Sequence, residues 1–176
     1  MQWAIKLLAR HPHVQHKLHR EVSDKLPAPG QRVATFEEFS STERLPYLSA
    51  VVYEVLRVSG TVAGVVRDTT RDTTILGYPV PKGVPVIMLT SYASRSESES
   101  YKAVSEGIEG TRHESSRRNG RKYGYWADDD HAEFKPERWL TTDGVFNPTA
   151  GPWMPFSLGF RGCFGQKLAV RILIII

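Results

Sequence analysis

The sequence predicts a mainly α-helical protein with small β-sheets, an α+β fold. Helical spacing of apolar residues occurs in four segments, and short runs rich in Val, Ile and Thr lie between the third and the fourth. A length of 176 residues suits one ordinary domain. The predicted helices are Gln2–Arg10, Pro12–Lys25, residues 47–58 and Gln166–Ile175.

The second predicted helix, Pro12–Lys25, has an apolar side and a polar side. Val14, Leu18 and Val22 form its apolar side. Four histidines accompany this helix: His11, His13, His16 and His19. A zinc site is the alternative reading, but this spacing spreads the rings around a helix and no second ligand cluster accompanies them. We therefore favour a polar face.

The third predicted helix, residues 47–58, combines an apolar face with one pair of opposite charges. The apolar face consists of Leu48, Val51, Val52 and Val55. Glu54 and Arg57 stand three positions apart, a spacing at which a helical ion pair contributes only about 0.2–0.5 kcal/mol. Taken alone, this pair indicates a solvated helix surface.

Short strands are predicted at residues 61–67 and 73–89, because both runs are rich in Val, Ile and Thr. Gly77-Tyr78-Pro79 and Pro81-Lys82-Gly83 interrupt the second run and are predicted turns. These strands would form a small sheet between the third and fourth helices.

The only cysteine, Cys163, lies in the decapeptide FSLGFRGCFG at residues 156–165. Its glycines, Gly159, Gly162 and Gly165, allow positive φ angles and the close approach of a flat ligand, so we expect a tight loop. The loop leads into the predicted helix Gln166–Ile175, whose amino end favours a thiolate over a thiol.

Side chains near the cysteine suit a thiolate that binds a metal. Arg161, two residues away, adds a fixed positive charge that could bind an anionic cofactor group. Phe156 and Phe164 would supply an apolar wall that keeps water from the sulfur. The alternative for a lone cysteine is a buried structural residue in a Gly-rich turn.

The complete pattern Phe-x-x-Gly-x-Arg-x-Cys-x-Gly at residues 156–165 resembles the haem-binding loop of the cytochrome P-450 superfamily. The resemblance implies the carboxy-terminal part of the P-450 fold, with Cys163 as the axial thiolate ligand of iron in haem b (iron protoporphyrin IX). It also implies that Arg161 pairs with a haem propionate and that Phe156 shields the thiolate. Gly159 and Gly165 then belong to the cofactor-binding loop.

Two further motifs lie upstream of the cysteine loop, in the order found in that superfamily. Its Glu-x-x-Arg helix is matched by Glu54 and Arg57, and its intervening Pro-Glu-Arg motif is matched at residues 136–138. The resemblance implies that Glu54, Arg57 and Arg138 form a structural charge network beneath the haem loop. Removing one partner would leave a buried charge at a cost of about 3–5 kcal/mol.

Arg67 stands ten residues beyond Arg57, a position at which the resemblance implies a contact with haem. An exposed charge at the end of a strand is the alternative, and spacing alone leaves both open. The neighbouring residues 62–66 would then face the substrate, which indicates an apolar ligand without identifying it.

The resemblance implies that residues 1–176 are one partial P-450 domain. A disordered insertion is expected within it, at residues 94–122. Ser, Glu, Arg and Gly dominate that insertion, so it buries too little apolar surface to become ordered. The oxygen-activating helix of the superfamily is expected to be absent, so no catalytic residue is assigned. Asp68 and Asp72 precede threonines but lie after Glu54 in strand-like sequence, which rules them out as its acid-threonine pair.

Charge and hydropathy argue against several other functions. The formal net charge is +4, but part of the basic charge lies in residues 94–122, interleaved with glutamates. Since no aromatic stacking platform accompanies it, we favour a solvated loop and predict no nucleic-acid binding. The longest apolar stretch is far below the ~20 residues that a bilayer crossing needs. A single cysteine excludes a disulfide within the chain.

The implied function is that of a haem-thiolate monooxygenase, which inserts one oxygen atom from O₂ into an apolar small molecule with electrons from an NADPH-dependent reductase. Eukaryotic relatives are commonly anchored to the endoplasmic reticulum, and a cytoplasmic location is the alternative for a chain without an anchor. We expect at most weak haem capture and no coupled turnover by these residues alone. The competing hypothesis is a non-catalytic remnant or interaction protein that does not bind haem. Uncovered apolar helix faces predict poor solubility or self-association.

Overall fold

The computed structural model describes residues 2–28, 30–60, 64–75, 77–89, 130, 133–151, 153–157 and 159–175. Its helices are α1 (Gln2–Arg10), α2 (Pro12–Lys25), α3 (Phe36–Ser40), α4 (Pro46–Ser59) and α5 (Gln166–Ile175). Its strands are β1 (Val65–Asp68), β2 (Thr73–Ile75), β3 (Tyr78–Val80) and β4 (Pro85–Met88). Short 3₁₀ turns occur at Pro136–Trp139 and Gly159–Arg161. The predicted α+β class is confirmed.

Three helices begin and end at the predicted residues, and α4 is longer than predicted by one residue at each end. Pro46 occupies the first turn of α4, where its missing N–H removes no helical hydrogen bond. Gly60 follows the last turn in the left-handed conformation, with φ 51° and ψ 41°. Glycine adopts this conformation without a steric penalty, so a proline and a glycine set the two ends of α4.

The prediction of a turn at Gly77-Tyr78-Pro79 is wrong at Tyr78 and Pro79. Gly77 has a φ of 84°, but Tyr78 and Pro79 lie in β3. Pro79 pairs with Thr74 in a two-stranded sheet, in which both strands are edges and a residue without an N–H is tolerated. In the second predicted turn, Gly83 takes the positive φ, at 83°.

A short helix that sequence reasoning missed, α3, begins with a capping box. Thr35 Oγ1 accepts a hydrogen bond from Glu38 N at 3.3 Å, and the Glu38 carboxylate accepts one from Thr35 N at 2.9 Å. The Arg32 guanidinium donates to both oxygens of the same carboxylate, at 2.8 and 2.6 Å. The hydrogen bonds from Arg32, followed by that from Thr35, lower the pKa of Glu38 to about 2.

Helix α4 occupies the centre of the described core and contacts two apolar clusters. The first joins it to α1 and α2 and contains Ala4, Leu7, Val14, Tyr47, Val51, Val55 and Phe134. The second contains Leu26, Leu45, Leu48 and Val52, with partly buried residues of α5 packed against it. The predicted apolar face of α4 is therefore buried, and Glu54 and Arg57 are buried with it.

The amino end of α4 is capped by a side chain from α2. Leu45, at the cap position, makes no side-chain hydrogen bond to the helix. Instead, the Glu21 carboxylate accepts hydrogen bonds from Tyr47 N at 3.1 Å and from Leu48 N at 2.9 Å. N–H groups of a first helical turn lack partners within their helix, and a negative charge there also interacts favourably with the helix dipole. Helix α2 thus helps to fix where α4 begins.

The strands form two antiparallel pairs. β1 pairs with β4, which places Val65 opposite Met88, and β2 pairs with β3, which places Thr73 opposite Val80. Just before β1, a Cβ added at Gly64 would lie 2.5 Å from the carbonyl oxygen of Met88. The approach of these two backbones therefore requires glycine at position 64.

Large apolar side chains are exposed on the helices and on the β1–β4 pair. They include Ile5, Val66, Ile87, Leu168 and Ile175. Exposed apolar surface of this kind favours association with other protein surfaces, although self-association itself stays a prediction. Within the described residues, no helix is both long enough and apolar enough to cross a membrane.

Candidate functional site

The cysteine loop lies between the 3₁₀ turn Gly159–Arg161 and helix α5. Cys163 N donates a 2.8 Å hydrogen bond to the carbonyl oxygen of Phe156, which closes the loop. The carbonyl oxygen of Cys163 accepts from Gln166 N at 3.3 Å, and that of Gly165 accepts from Ala169 N at 2.9 Å. The thiol of Cys163 is free and exposed, so its sulfur is open to a ligand.

In the cysteine loop, a serine takes the left-handed backbone conformation that glycine usually takes. Ser157, with a φ of 60°, is a non-glycine residue in the left-handed region. Gly165 has no positive φ, and a Cβ there would meet the Cys163 sulfur at 3.8 Å, an ordinary van der Waals distance. The freedom of glycine to take a positive φ is therefore not used at Gly165. A left-handed serine costs more than a left-handed glycine, so the surrounding contacts must hold it.

The side chains that flank Cys163 are mostly exposed. Phe160 and Phe164 expose 98% and 104% of their reference area, and the Arg161 guanidinium lies 5.8 Å from the centre of the Phe160 ring. Phe156 is partly buried, and its ring meets that of Trp153 edge to face. The expected apolar wall does not cover the sulfur, because Cys163 and Phe164 are both exposed.

Glu54, Arg57 and Arg138 are in direct contact. Arg57 donates to both Glu54 oxygens at 2.7 Å, and Arg138 Nε donates to Glu54 Oε1 at 3.0 Å. The side chains of Glu54, Arg57 and Arg138 expose 0%, 2% and 6% of their area. A buried carboxylate needs such partners, because removing an ion from water costs on the order of several kcal/mol.

Sequence reasoning missed three further members of this network. Trp139 Nε1 donates to Glu54 Oε2 at 2.8 Å, and Lys135 N donates to Glu54 Oε1 at 2.9 Å. Asp130 accepts from Arg138 Nη1 at 3.2 Å, and hydrogen bonding from the Lys135 side chain lowers the pKa of Asp130. The position of Trp139, directly after the motif arginine, was the available signal. A tryptophan next to a buried charge offers it an N–H donor.

Arg67 lies on β1 opposite Val86 and is partly exposed. Its Nη1 donates to the carbonyl oxygen of Val66 at 2.7 Å. Within the described part of the chain, no hydrogen bond or ion pair joins Arg67 to the cysteine loop. Both readings of Arg67 therefore stay open.

An aromatic cluster connects α4 with the segment that leads into the cysteine loop. The rings of Tyr53 and Trp153 are stacked, with their centres 4.2 Å apart and their planes at 11°. Tyr53 also meets Trp139 and Phe146 edge to face, at 5.2 and 4.9 Å. Burial raises the pKa of the Tyr53 hydroxyl.

The family model for cytochrome P450 matches residues 1–101 and 123–176. The chain belongs to the cytochrome P450 family. The match leaves out residues 102–122, which fall within the predicted P450 insertion at 94–122. That insertion lies outside the described residues and stays a prediction.

Similar proteins are named as P450 monooxygenases. One from Pestalotiopsis microspora is 35% identical over 97% of this chain and 30% of its own length. Another, from Dothistroma septosporum, is 34% identical over 99% of this chain and 60% of its own length. The crystal structure of the cytochrome P450DA haem domain matches with a TM-score of 0.64 and 26% identity, over 98% of this chain and 31% of that one. The chain thus spans less than two thirds of each of these P450 proteins.

Haem with a thiolate ligand is general in the P450 family. The residues of the loop fit such a group. Cys163 offers one soft sulfur donor, Arg161 offers a cation for a carboxylate, and Phe160 and Phe164 offer apolar surface to a flat macrocycle. The donor set of this loop is therefore compatible with haem b.

Proposed function

We propose that this chain carries the thiolate-bearing part of a haem-thiolate monooxygenase. The observation that carries the proposal is the exposed Cys163 sulfur, in a loop closed by the 2.8 Å hydrogen bond from Cys163 N to Phe156 O. The loop lies within residues that match the P450 family. A soft thiolate at a fixed position is the ligand that haem iron of this type takes.

The family resemblance implies a role for each loop residue, and the chemistry of each residue suits that role. Cys163 would hold the iron through its thiolate, and Arg161 would bind a propionate of haem b with its guanidinium. Phe156, which is partly buried, would keep water from one side of the sulfur. Gly159 and Gly165 contribute only backbone, so they leave room for the macrocycle. Arg67 would provide a second cation for the propionates if β1 lies beside the haem.

The charge network supports the loop and takes no part in the reaction. Glu54, Arg57 and Arg138 join α4 to the Pro136–Trp139 turn by buried hydrogen bonds. A fixed α4 gives the cysteine loop a rigid base, since ligand geometry depends on the groups behind it.

When bound, the haem would supply the oxygen chemistry, in which one oxygen atom of O₂ enters an apolar small molecule. An NADPH-dependent reductase is the proposed electron donor, and the endoplasmic reticulum membrane is the proposed location of the whole protein. The chain's own contribution is to bind the iron, to orient the macrocycle and, through Phe156 alone, to keep water from one side of the sulfur.

We expect no coupled turnover by the 176 residues alone. Phe160, Cys163 and Phe164 are exposed, so the described residues cover too little of a bound haem to exclude water. The alternative function is a non-catalytic remnant or interaction protein that does not bind haem, and it makes the opposite prediction for haem addition.

The carbon monoxide difference spectrum of the reduced, haem-supplemented chain tests the proposal. We expect the red-shifted band of thiolate-ligated haem in the wild type and its loss in Cys163→Ser. A matched control is the double variant Cys163→Ser/Ser23→Cys, which keeps one thiol but moves it to an exposed position on α2. That control should also lack the band.

Two results would overturn the proposal. A wild-type chain without the band would favour the remnant hypothesis. An equal band in the double variant would show that any exposed thiol captures haem, so that the loop has no special role.

A further inference from the structure

The stacked pair Tyr53–Trp153 lies outside the charge network, although Tyr53 is next to Glu54 in the chain. Tyr53 immediately precedes Glu54 on α4, and its ring is held by edge-to-face contacts with Trp139 and Phe146. Trp153 stacks on this fixed ring at 4.2 Å and 11°. Its Nε1 donates a hydrogen bond to the carbonyl oxygen of Tyr53 at 3.3 Å. Two interactions therefore fix Trp153 to α4.

Trp153 is connected to Cys163 through contacts with one further residue, Phe156. The rings of Trp153 and Phe156 meet edge to face, with centres 6.1 Å apart and planes at 69°. Phe156 in turn accepts the 2.8 Å hydrogen bond from Cys163 N through its carbonyl oxygen. A continuous series of contacts thus runs from Tyr53 through Trp153 and Phe156 to the backbone of Cys163.

Among the residues of the loop that the structure describes, few others make contacts that would hold it in place. Phe160, Arg161 and Phe164 are exposed, and the Arg161 side chain stacks only loosely, at 5.8 Å from the Phe160 ring. On its carboxyl side the loop continues into α5, which packs on the second core cluster. The amino side of the loop therefore depends on the aromatic contacts.

We propose that Tyr53 and Trp153 are positioning residues for Cys163, which hold the amino side of the cysteine loop against α4. The relevance to haem ligation rests on the proposed function, whereas the mechanical link to the loop does not. Aromatic pairs add stabilisation beyond the area they bury, so their removal should release the loop locally.

Hydrogen exchange at the Cys163 amide tests the link in the full chain without haem. We expect Trp153→Ala to speed this exchange by up to about tenfold, because the energy of an aromatic pair corresponds to at most about that factor. Trp153→Phe keeps an aromatic ring but loses the N–H donor, and it should restore most of the protection. The control is Trp3→Ala, which removes an indole from α1 and should leave exchange at Cys163 unchanged.

Amides of α2 serve as the reference for global unfolding, and they should exchange at the wild-type rate in every variant. Trp153→Leu keeps apolar volume but has no flat ring. It replaces Trp153→Ala as the test variant if Trp153→Ala does not fold. The proposal is overturned if Cys163 exchange is unchanged in the variant that folds, or if Trp3→Ala speeds it equally.

A second measurement separates this proposal from the proposed function. In haem titrations, Trp153→Leu should raise the haem concentration for half-maximal band formation about tenfold without moving the band, since the ligand itself is retained. A wild type without any band would refute haem ligation, while the exchange result would still decide whether Trp153 positions the loop. An unchanged titration in a variant with faster exchange would refute the role of Trp153 in haem ligation, and only its mechanical link to the loop would stand.

Discussion

The indole Nε1 of Trp139 lies 2.8 Å from Oε2 of Glu54, and both side chains are buried. A hydrogen bond to a buried charge is worth more than one between neutral groups. Trp139 therefore belongs with the arginines as a partner of this carboxylate.

Trp139→Phe should destabilise the chain by about 1.5–3 kcal/mol, because it removes a hydrogen bond to a charged group and keeps most of the ring. Urea unfolding followed by circular dichroism measures the change. Trp3→Phe is the control, since Trp3 exposes 40% of its area, and it should have a far smaller effect. Equal midpoints for the wild type and Trp139→Phe would contradict this prediction.

Arg57→Ala should cost about 3–5 kcal/mol, since it leaves the buried Glu54 carboxylate without its bidentate partner. Lys17→Ala is a matched control: Lys17 and Glu137 also lie 2.7 Å apart, but their side chains expose 51% and 41% of their area. Exposed pairs contribute about 0–1 kcal/mol. If the two variants unfold at the same urea concentration, burial does not decide the strength of these pairs.

The Glu38 capping box should make stability depend on acid pH. The pKa of Glu38 in the folded chain is about 2, below its ordinary value of 4.5. Its contribution is therefore complete above pH 4.5 and is lost as the pH falls toward 2. The stability difference between the wild type and Glu38→Gln should shrink over that interval.

Glu37→Gln is the control for this pH dependence, because Glu37 lies in the same first turn of α3 but is exposed. This variant removes a carboxylate from that turn but leaves the hydrogen bonds of Glu38 with Arg32 and Thr35 in place. A wild-type advantage over Glu38→Gln that stays constant from neutral pH down to the folded-state pKa would show that the carboxylate is not the titrating group.

Gly64→Ala should disturb the pairing of β1 with β4. The new Cβ would meet the Met88 carbonyl oxygen at 2.5 Å, so one backbone must move. Hydrogen exchange at the amides of β1 and β4 should become faster, whereas exchange in α2 should not change. Gly30→Ala offers a comparison of another kind: nothing lies within 4 Å of a Cβ there, and the φ of 89° makes its cost a local backbone strain, so exchange in β1 and β4 should not change. Unchanged exchange in both strands would show that the approach is relaxed without loss of pairing.

Helix positions were largely predictable because local signals determine them. Pro12 marks the start of α2, and apolar spacing reveals the buried face of α4. Helix α3 was missed even though Thr35 and Glu38 carry a capping-box signal, because five residues are too few to show a helical period. The β3 strand was misread because Pro79 is a turn signal by composition, and only the sheet shows that it occupies an edge.

The partners of the site were less predictable, since they depend on contacts between distant parts of the chain. The motifs placed Glu54 near Arg138, but only the fold shows that Trp139 completes the carboxylate's hydrogen bonds. Likewise, Tyr53 and Trp153 carry no joint signal, because a hundred positions separate them. The glycine content of the cysteine loop predicted a turn but not that Ser157 would take the left-handed conformation.

The bonds that converge on Glu54 also bear on how the chain tolerates changes in length. Lys135, Arg138 and Trp139 reach it from 81, 84 and 85 positions away. The entropy of closing so long a loop grows only with the logarithm of its length, so doubling the connection costs about 0.6 kcal/mol. Removing one partner of a buried ion pair costs about 3–5 kcal/mol, several times as much. A longer connection that leaves β1–β4 intact should therefore cost little closure entropy, and the centre of the structure should stay the same.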